Sequence, residues 1–211
     1  MDRIKKDIRF KIPFFEQGYN ECGPICLKMV LEYFGEHHSE LELKNLVESD
    51  STGTTWAIGL VKAAASLGFK VDFYTTYLGV NPENYNLMYY VTQTDGYEKS
   101  KVKVNKIIEI ISKDPKVKLI ENSLSLDEIL KKINNDCVVI SEVNWCTVIR
   151  ENGYLGHFVL IVGYDEKNVY IHQILPGNPQ PYFPIKRKVF NKARNQLGTD
   201  QNLIFIYRKN K

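Results

Sequence analysis

The first half of the chain carries apolar residues at helical spacing. Residues 25–34 are nearly all apolar, with Lys28 and Glu32 as their charged positions, so they predict a helix that is buried on most sides. Gly23 and Pro24 stand just before this run. A proline is tolerated there because the first helical turn offers no partner to its missing N–H group. Further helices are predicted at residues 40–48, 56–67, 96–113, 126–133 and, late in the chain, 188–196.

The second half is dominated by strands. The segment 156–165 is apolar on both faces, which predicts a central position in a sheet. Residues 1–9 are interpreted as a flexible arm, and the proline-rich segment 176–184 as a loop. Helices followed by an antiparallel sheet predict an α+β fold in a single domain over residues 1–211. The predicted strands are 71–77, 116–120, 137–143, 156–165, 169–172 and 203–207.

Composition and charge narrow the function. The 211 residues are 44% hydrophobic with a net charge of +3, and the basic residues gather near the two ends instead of forming a stripe with aromatic residues. No run reaches the roughly 18 apolar residues of a membrane span, and the N-terminus is charged where a signal peptide is apolar. We expect a cytoplasmic protein that binds neither nucleic acid nor a membrane. The adjacent His37 and His38 lack companion ligands at a suitable spacing, so no metal or cofactor is expected.

Cys22 is the candidate nucleophile. It stands at the predicted start of the first helix, where unpaired backbone N–H groups and the helix dipole favour a thiolate over a thiol. We therefore expect the pKa of Cys22 to be lowered. The alternative is a small buried core residue, the usual role of a free cysteine. The same alternative applies to Cys26, one turn further on, which is either a resolving thiol for Cys22 or part of the core.

His157 is the candidate general base. It opens the strand 156–165, far downstream of Cys22, and a cysteine early in the chain with a distant histidine is the layout of papain-type enzymes. Gln17, five residues before Cys22, could direct its side-chain amide at the same point and serve as an oxyanion donor.

Two motifs carry a family resemblance. The pattern Gln-x-x-Asn-Glu-Cys-Gly-Pro at residues 17–24, followed by Gly-His-Phe-Val-Leu-Ile-Val-Gly-Tyr-Asp at 156–165, resembles the papain-like fold of the bacteriocin leader peptidases. A closer resemblance is to the guanylyl cyclase domain-containing protein family of the same papain-like group. It also rests on residues 56–60, 76–80 and 193–207. The resemblance implies a papain-like cysteine peptidase fold, with N-terminal helices packed on a C-terminal antiparallel sheet and a cleft between the two layers.

The third catalytic position departs from that family pattern. Relatives carry Asp-Pro or Asn-Pro just after the strand that follows the histidine strand, whereas this chain reads Ile-His-Gln-Ile-Leu-Pro at residues 171–176. Counting forward from the strand places Gln173 at that position, and counting back from Gly198 places Leu175 there. Gln173 could orient His157 through its amide oxygen, without the full charge of an aspartate.

Three functions remain open at this point. The first is a thiol hydrolase or cysteine peptidase acting on a peptide or isopeptide bond, with Cys22, His157, Gln17 and Gln173 as its site. The second is the guanylyl cyclase of the family name, making cyclic GMP from GTP, although no phosphate-binding glycine loop is evident. The third is a non-catalytic papain-like scaffold that binds a peptide. The sequence leaves the oligomeric state open.

Overall fold

The fold is described from a computed structural model, which describes residues 7–18, 21–50, 52–92 and 96–209. Within these ranges the chain forms helices α1 (Cys22–Phe34), α2 (Glu40–Leu46), α3 (Ala57–Ser66), α4 (Pro82–Thr92), α5 (Tyr97–Ile111), α6 (Leu126–Lys132), α7 (Trp145–Ile149) and α8 (Arg187–Arg194). The strands are β1 (Asp7–Arg9), β2 (Lys70–Thr75), β3 (Val117–Glu121), β4 (Cys137–Asn144), β5 (Gly156–Asp165), β6 (Asn168–Gln173), β7 (Gln180–Lys186) and β8 (Leu203–Tyr207).

Local sequence sets the ends of the helices. Gly35 ends α1 in the left-handed region at φ 89°, which glycine adopts without the steric cost of a Cβ atom. Ser125 and Glu128 form the capping box that the sequence predicts for α6, each side chain bonding the other residue's backbone N–H. At α2 only half of that motif forms. Ser39 accepts the N–H of Glu42, while the Glu42 carboxylate contacts His38 instead.

The strands build one sheet in the order β3-β2-β8-β4-β5-β6-β7, with β1 added against β5. The central position predicted for the strand 156–165 is confirmed, because β5 pairs with β4 on one side and with β6 on the other, and β1 also pairs with its residues 163–165. The strands of the second half pair antiparallel, as predicted, and one edge of the sheet differs. There β2 and β3 are parallel, since the helices α4 and α5 carry the chain back before β3 begins.

The first helix covers a gap in the sheet. β5 pairs with β4 along residues 156–160, but its pairing with β6 starts only at Ile161. At this free edge α1 packs against β5, and the Cys26 thiol donates to the Phe158 carbonyl oxygen at 3.5 Å. Helix α3 packs on β2 and β8, while α8 contacts β4, β6 and β7. Most of α1 between Gly23 and Leu31 is buried, and this packing places the start of the helix beside β5.

Three local predictions differ from the structure. The arm predicted for residues 1–9 is wrong at its end, because residues 7–9 form β1; residues 1–6 lie outside the described part. The proline-rich loop at 176–184 is partly strand β7, whose two prolines lie in a strand bonded to β6. The connection after β4 contains the short helix α7, capped by the side chain of Asn144. None of the helices in the described ranges is both long and apolar enough to cross a bilayer.

Candidate active site

Cys22 is the first residue of α1 and lies at the free edge of β5. Glu21, the residue before it, accepts the Gly18 N–H at 2.9 Å and pairs with Lys44, so its carboxylate does not cap the helix. The N–H groups of the first turn therefore stay directed at the thiol. The backbone N–H groups of Phe158, Gly23 and Cys22 itself lie near the sulfur and act to lower its pKa. The nucleophile predicted from the sequence thus sits beside β5 at the residue after His157.

The expected lowering of the Cys22 pKa is wrong. Burial raises the pKa of the thiol to about 11, and the charge of Glu142 raises it further, while the three backbone N–H groups lower it by less. The physical reason is desolvation: removing a thiolate from water costs more free energy than its interactions with a few N–H groups contribute. At neutral pH the resting site therefore holds a neutral thiol.

His157 lies one residue along β5 from the N–H that contacts the sulfur. In the β4–β5 pair, His157 stands opposite Val143, and Phe158 stands opposite Glu142. Since successive side chains of a strand point to opposite faces, His157 and Phe158 lie on different faces of the sheet. The His157 ring meets the edge of Trp145 with ring centroids 5.4 Å apart. Its Nε2 atom is buried without a hydrogen-bond partner in the described part of the chain.

Burial lowers the pKa of His157 from 6.5 to about 3, so its imidazole is neutral at pH 7. Between these two values the unfolded chain holds a proton at this residue that the folded chain does not, so stability falls as the pH falls through this window. We expect wild-type protein to lose about 1.4 kcal/mol of unfolding free energy per pH unit more than His157→Leu between pH 6 and pH 4.

Urea unfolding of both proteins at several pH values measures this difference. The contribution of Glu142 to the pH dependence is common to both and cancels. His37→Leu is the matched control, because it removes a histidine whose side chain is 80% exposed and leaves the interior intact. Parallel curves for wild type and His157→Leu would contradict a buried neutral His157.

The two glutamines predicted for the site take different positions. The backbone N–H of Gln17 donates to the Ile174 carbonyl at 3.3 Å, and its buried Oε1 has no partner within the described residues. Both polar atoms of the Gln173 side chain bond the backbone of the turn after β6. Oε1 accepts from the Leu175 N–H at 2.8 Å, and Nε2 donates to the Asn178 carbonyl at 3.2 Å. Gln173 therefore holds the turn that contacts Gln17, and its observed bonds do not go to His157.

A small cleft of about 40 Å³ lies on the Phe158 face of the sheet. Phe158 and Thr55 lie in its wall, and Thr55 also packs within 3.2 Å of the position a Cβ would take on Gly23. Trp56 lines this cleft and stacks on Tyr85 with ring centroids 6.5 Å apart. The polar part of the wall consists of Glu142, Asp200 and Asn202.

Glu142 is a buried carboxylate at the centre of a polar network. Its Oε2 accepts from the Asn202 amide at 2.8 Å, and its Oε1 lies 3.3 Å from the Tyr154 hydroxyl, which donates to the Gly198 carbonyl at 2.6 Å. Burial, assisted by the negative charge of Asp200, raises the pKa of Glu142 to about 8. Asp200, at φ 45°, accepts from the amides of Asn81 and Asn84. Strained backbone and shifted pKa values together are typical of functional sites.

The sequence analysis missed Glu142 and Tyr154. A signal was present, because Glu142 is the charged residue of an otherwise apolar or neutral strand, and an acidic residue is rarely buried without a specific reason. Cys26 is fully buried against β5, which agrees with its interpretation as a core residue. Within the described ranges no three His, Cys, Asp or Glu side chains are grouped to hold a metal ion.

Comparison with known proteins gives a family match over nearly the whole chain. The family model described as guanylylate cyclase matches residues 12–206. Guanylyl cyclase 1 of Arabidopsis thaliana is 25% identical over 205 residues, which cover 90% of this chain and 73% of that protein.

Solved structures of peptidases share the fold. A C39-like peptidase from Bacillus anthracis superposes with a TM-score of 0.56 at 16% identity, over 98% of this chain and 100% of that one. A double glycine motif protease from an AMS/PCAT transporter, solved in complex with the leader peptide, gives a TM-score of 0.51 at 17% identity, over 96% of this chain and 95% of that one. The α+β fold predicted from the sequence is confirmed as that of C39 papain-like peptidase domains.

Proposed function

Because the chain belongs to the guanylylate cyclase family and has a papain-like peptidase fold, we propose that it is a thiol hydrolase that uses Cys22 to cleave a peptide or isopeptide bond. The observation that carries this proposal is the position of Cys22: it is the first residue of a buried helix, and its sulfur lies near the N–H of Phe158, the residue that follows His157. A nucleophile adjacent to a base is the arrangement that covalent catalysis requires.

In the proposed reaction the proton leaves the sulfur as the sulfur attacks the carbonyl carbon. Cys22 starts as a neutral thiol and His157 as a neutral imidazole whose Nε2 lacks a partner in the described part of the chain, so His157 is free to accept that proton. Gln17 and the Cys22 N–H hold the oxyanion, with Gln173 supporting Gln17 through the turn at Ile174.

One of the fold relatives supports a peptide as the substrate class. It is a double glycine motif protease in complex with a leader peptide, so a peptide with a Gly-Gly acyl side is the reasonable first probe. Glycine has no side chain, so a Gly-Gly acyl group also needs little room beside a nucleophile that is packed at the edge of a strand. The cytoplasmic location expected from the sequence remains part of this proposal.

Covalent trapping tests the proposal. After exposure to acetyl-Gly-Gly 4-nitrophenyl ester and acid quenching, mass spectrometry should find the acetyl-Gly-Gly group on Cys22. Cys146→Ser is the matched control, since Cys146 is a second thiol with partial exposure, and it should leave the adduct unchanged. Wild-type protein without an adduct on Cys22 would favour a non-catalytic scaffold that binds peptide in the cleft.

A cyclase is the second candidate, and the name of the 25% identical plant relative is the observation that favours it. A cyclase needs metal-bound carboxylates to neutralise the phosphates of GTP. Here the Asp200 carboxylate already accepts hydrogen bonds from the side-chain amides of Asn81 and Asn84, and the described residues hold no group of three metal ligands. Magnesium-dependent conversion of GTP to cyclic GMP, unchanged in Cys22→Ala, would establish the cyclase and overturn the hydrolase.

A further inference from the structure

A strap of chain, residues 10–17, leads from β1 to the proposed oxyanion donor Gln17. At its start the Phe10 N–H donates to the Val162 carbonyl oxygen of β5 at 2.8 Å, and at its end the Gln17 N–H donates to the Ile174 carbonyl oxygen, just after β6, at 3.3 Å. The strap thus passes from β5 to the end of β6 before the chain enters α1. Its path decides where the Gln17 side chain stands relative to the first turn of α1.

His172, in β6, contacts the middle of this strap. Its Nε2 atom lies 3.0 Å from the Ile12 carbonyl oxygen, and its ring meets that of Phe14 edge to face with ring centroids 5.3 Å apart. On the other side its Nδ1 atom accepts the Tyr182 N–H at 3.3 Å. The His172 side chain is completely buried, so these contacts are made without competition from water.

The neighbouring strand β7 is shaped to reach His172. The β6–β7 pairing is interrupted here, and two residues of β7, Pro181 and Tyr182, stand opposite this one residue of β6. Tyr182 adopts φ 52°, a left-handed backbone conformation that is uncommon for a bulky residue. The bulge directs the Tyr182 N–H to Nδ1 of His172. Strained backbone of this kind persists only where the surrounding contacts hold it, and it is concentrated at functional sites.

The two backbone partners fix the tautomer of His172. A backbone N–H only donates, so Tyr182 requires an Nδ1 without a proton, and a carbonyl oxygen only accepts, so Ile12 requires a proton on Nε2. Burial lowers the pKa of His172, which keeps the imidazole in this neutral form. His172 therefore presents one donor to the strap and one acceptor to the bulge.

We propose that His172 is a positioning residue for catalysis, which holds the strap so that the Gln17 amide stands beside Cys22. This inference rests on the proposed thiol hydrolase. The buried Oε1 of Gln17 has no partner within the described residues, so the direction of its amide depends on the backbone that carries it. His172 touches no reacting atom and acts through that backbone, at Ile12.

Two substitutions separate the roles of the two ring nitrogens. A glutamine side chain carries its amide about as far from the backbone as Nε2, so His172→Gln keeps a donor for Ile12. An asparagine side chain reaches only about as far as Nδ1, so His172→Asn keeps an acceptor for Tyr182 and loses the bond to the strap.

We expect His172→Asn to lower kcat for acetyl-Gly-Gly 4-nitroanilide about thirtyfold, less than the roughly hundredfold cost of removing an oxyanion donor. KM should change by less than about threefold, because an oxyanion donor acts in the transition state and not on the bound substrate. His172→Gln should keep kcat within about threefold of wild type. Equal losses in the two variants would overturn the proposal, since the bond to Ile12 would then not matter.

The Gln17→Ala background tests whether His172 acts through Gln17. There His172→Asn should lower kcat by less than about threefold further, because the group that it positions is already gone. The same thirtyfold loss in both backgrounds would mean that the effect does not pass through Gln17, and it would overturn the proposal.

Hydrogen exchange tests the strap without substrate. In His172→Asn the amides of residues 10–17 should exchange at least about tenfold faster than in wild type, while those of the buried strand β4 stay protected. His172→Gln should keep the wild-type rates. Unchanged exchange of the strap in His172→Asn, or an equal acceleration in β4, would overturn the role of His172. A wild-type protein that releases no 4-nitroaniline would overturn the thiol hydrolase, and exchange would still decide whether His172 holds the strap.

Discussion

Replacing Cys22 with alanine should lower the hydrolysis of acetyl-Gly-Gly 4-nitroanilide at least about a thousandfold. Loss of the nucleophile removes the covalent route entirely and leaves only the contribution of binding and the oxyanion donors, which in thiol and serine enzymes is smaller by several orders of magnitude. The release of 4-nitroaniline by purified wild-type and variant protein at equal concentration measures the effect.

The fold should survive this substitution. Cys22 is the first residue of α1, and alanine is well tolerated in a first helical turn, so a far-ultraviolet spectrum and a urea midpoint close to wild type are expected. Cys146→Ser should keep wild-type turnover, because Cys146 lies in α7 and bonds no group of the cleft wall in the described residues. Turnover that persists in Cys22→Ala would mean that another group is the nucleophile.

Most of the fold was readable from residue patterns with strong periodicity. The buried helix α1 and the doubly apolar strand β5 were predicted close to their observed ends, because a continuous apolar run with a glycine or proline boundary leaves few alternatives. The parallel pair of β2 and β3 was not readable, since pairing direction depends on where the intervening helices lead the chain. Strand β7 was missed because two prolines outweighed the pairing that β6 offers.

The sequence predicts the site residues only where the residue type itself indicates a chemical role. Two histidines, His157 and His172, are both buried in strands, and sequence alone does not separate their roles. In the structure His172 uses both nitrogens, with Nε2 on the Ile12 carbonyl at 3.0 Å and Nδ1 accepting the Tyr182 N–H at 3.3 Å. His157 keeps Nε2 without a partner in the described residues, as a working base requires. Glu142 was overlooked because its place in the cleft wall depends on its cross-strand register with Phe158.

At pH 8.5, iodoacetamide should alkylate Cys22 in the folded protein about a hundredfold more slowly than the same cysteine in the chain unfolded with guanidinium, because the folded pKa is about 11 and the ordinary value is 9.0. The rate in the folded protein should keep rising with pH beyond the point where the unfolded thiol levels off. Peptide mapping by mass spectrometry over a pH series follows Cys22 separately from the other three cysteines.

The position of the plateau distinguishes a shifted pKa from simple shielding. Steric protection lowers the rate at every pH and leaves the plateau where a free thiol has it, whereas desolvation moves the plateau upward. A plateau below pH 9 would mean that the N-terminus of α1 outweighs burial and that Cys22 rests as a thiolate. A plateau near pH 11 would instead require that Cys22 loses its proton only as it attacks, and a neutral thiol of this kind needs His157 as a base within the catalytic step.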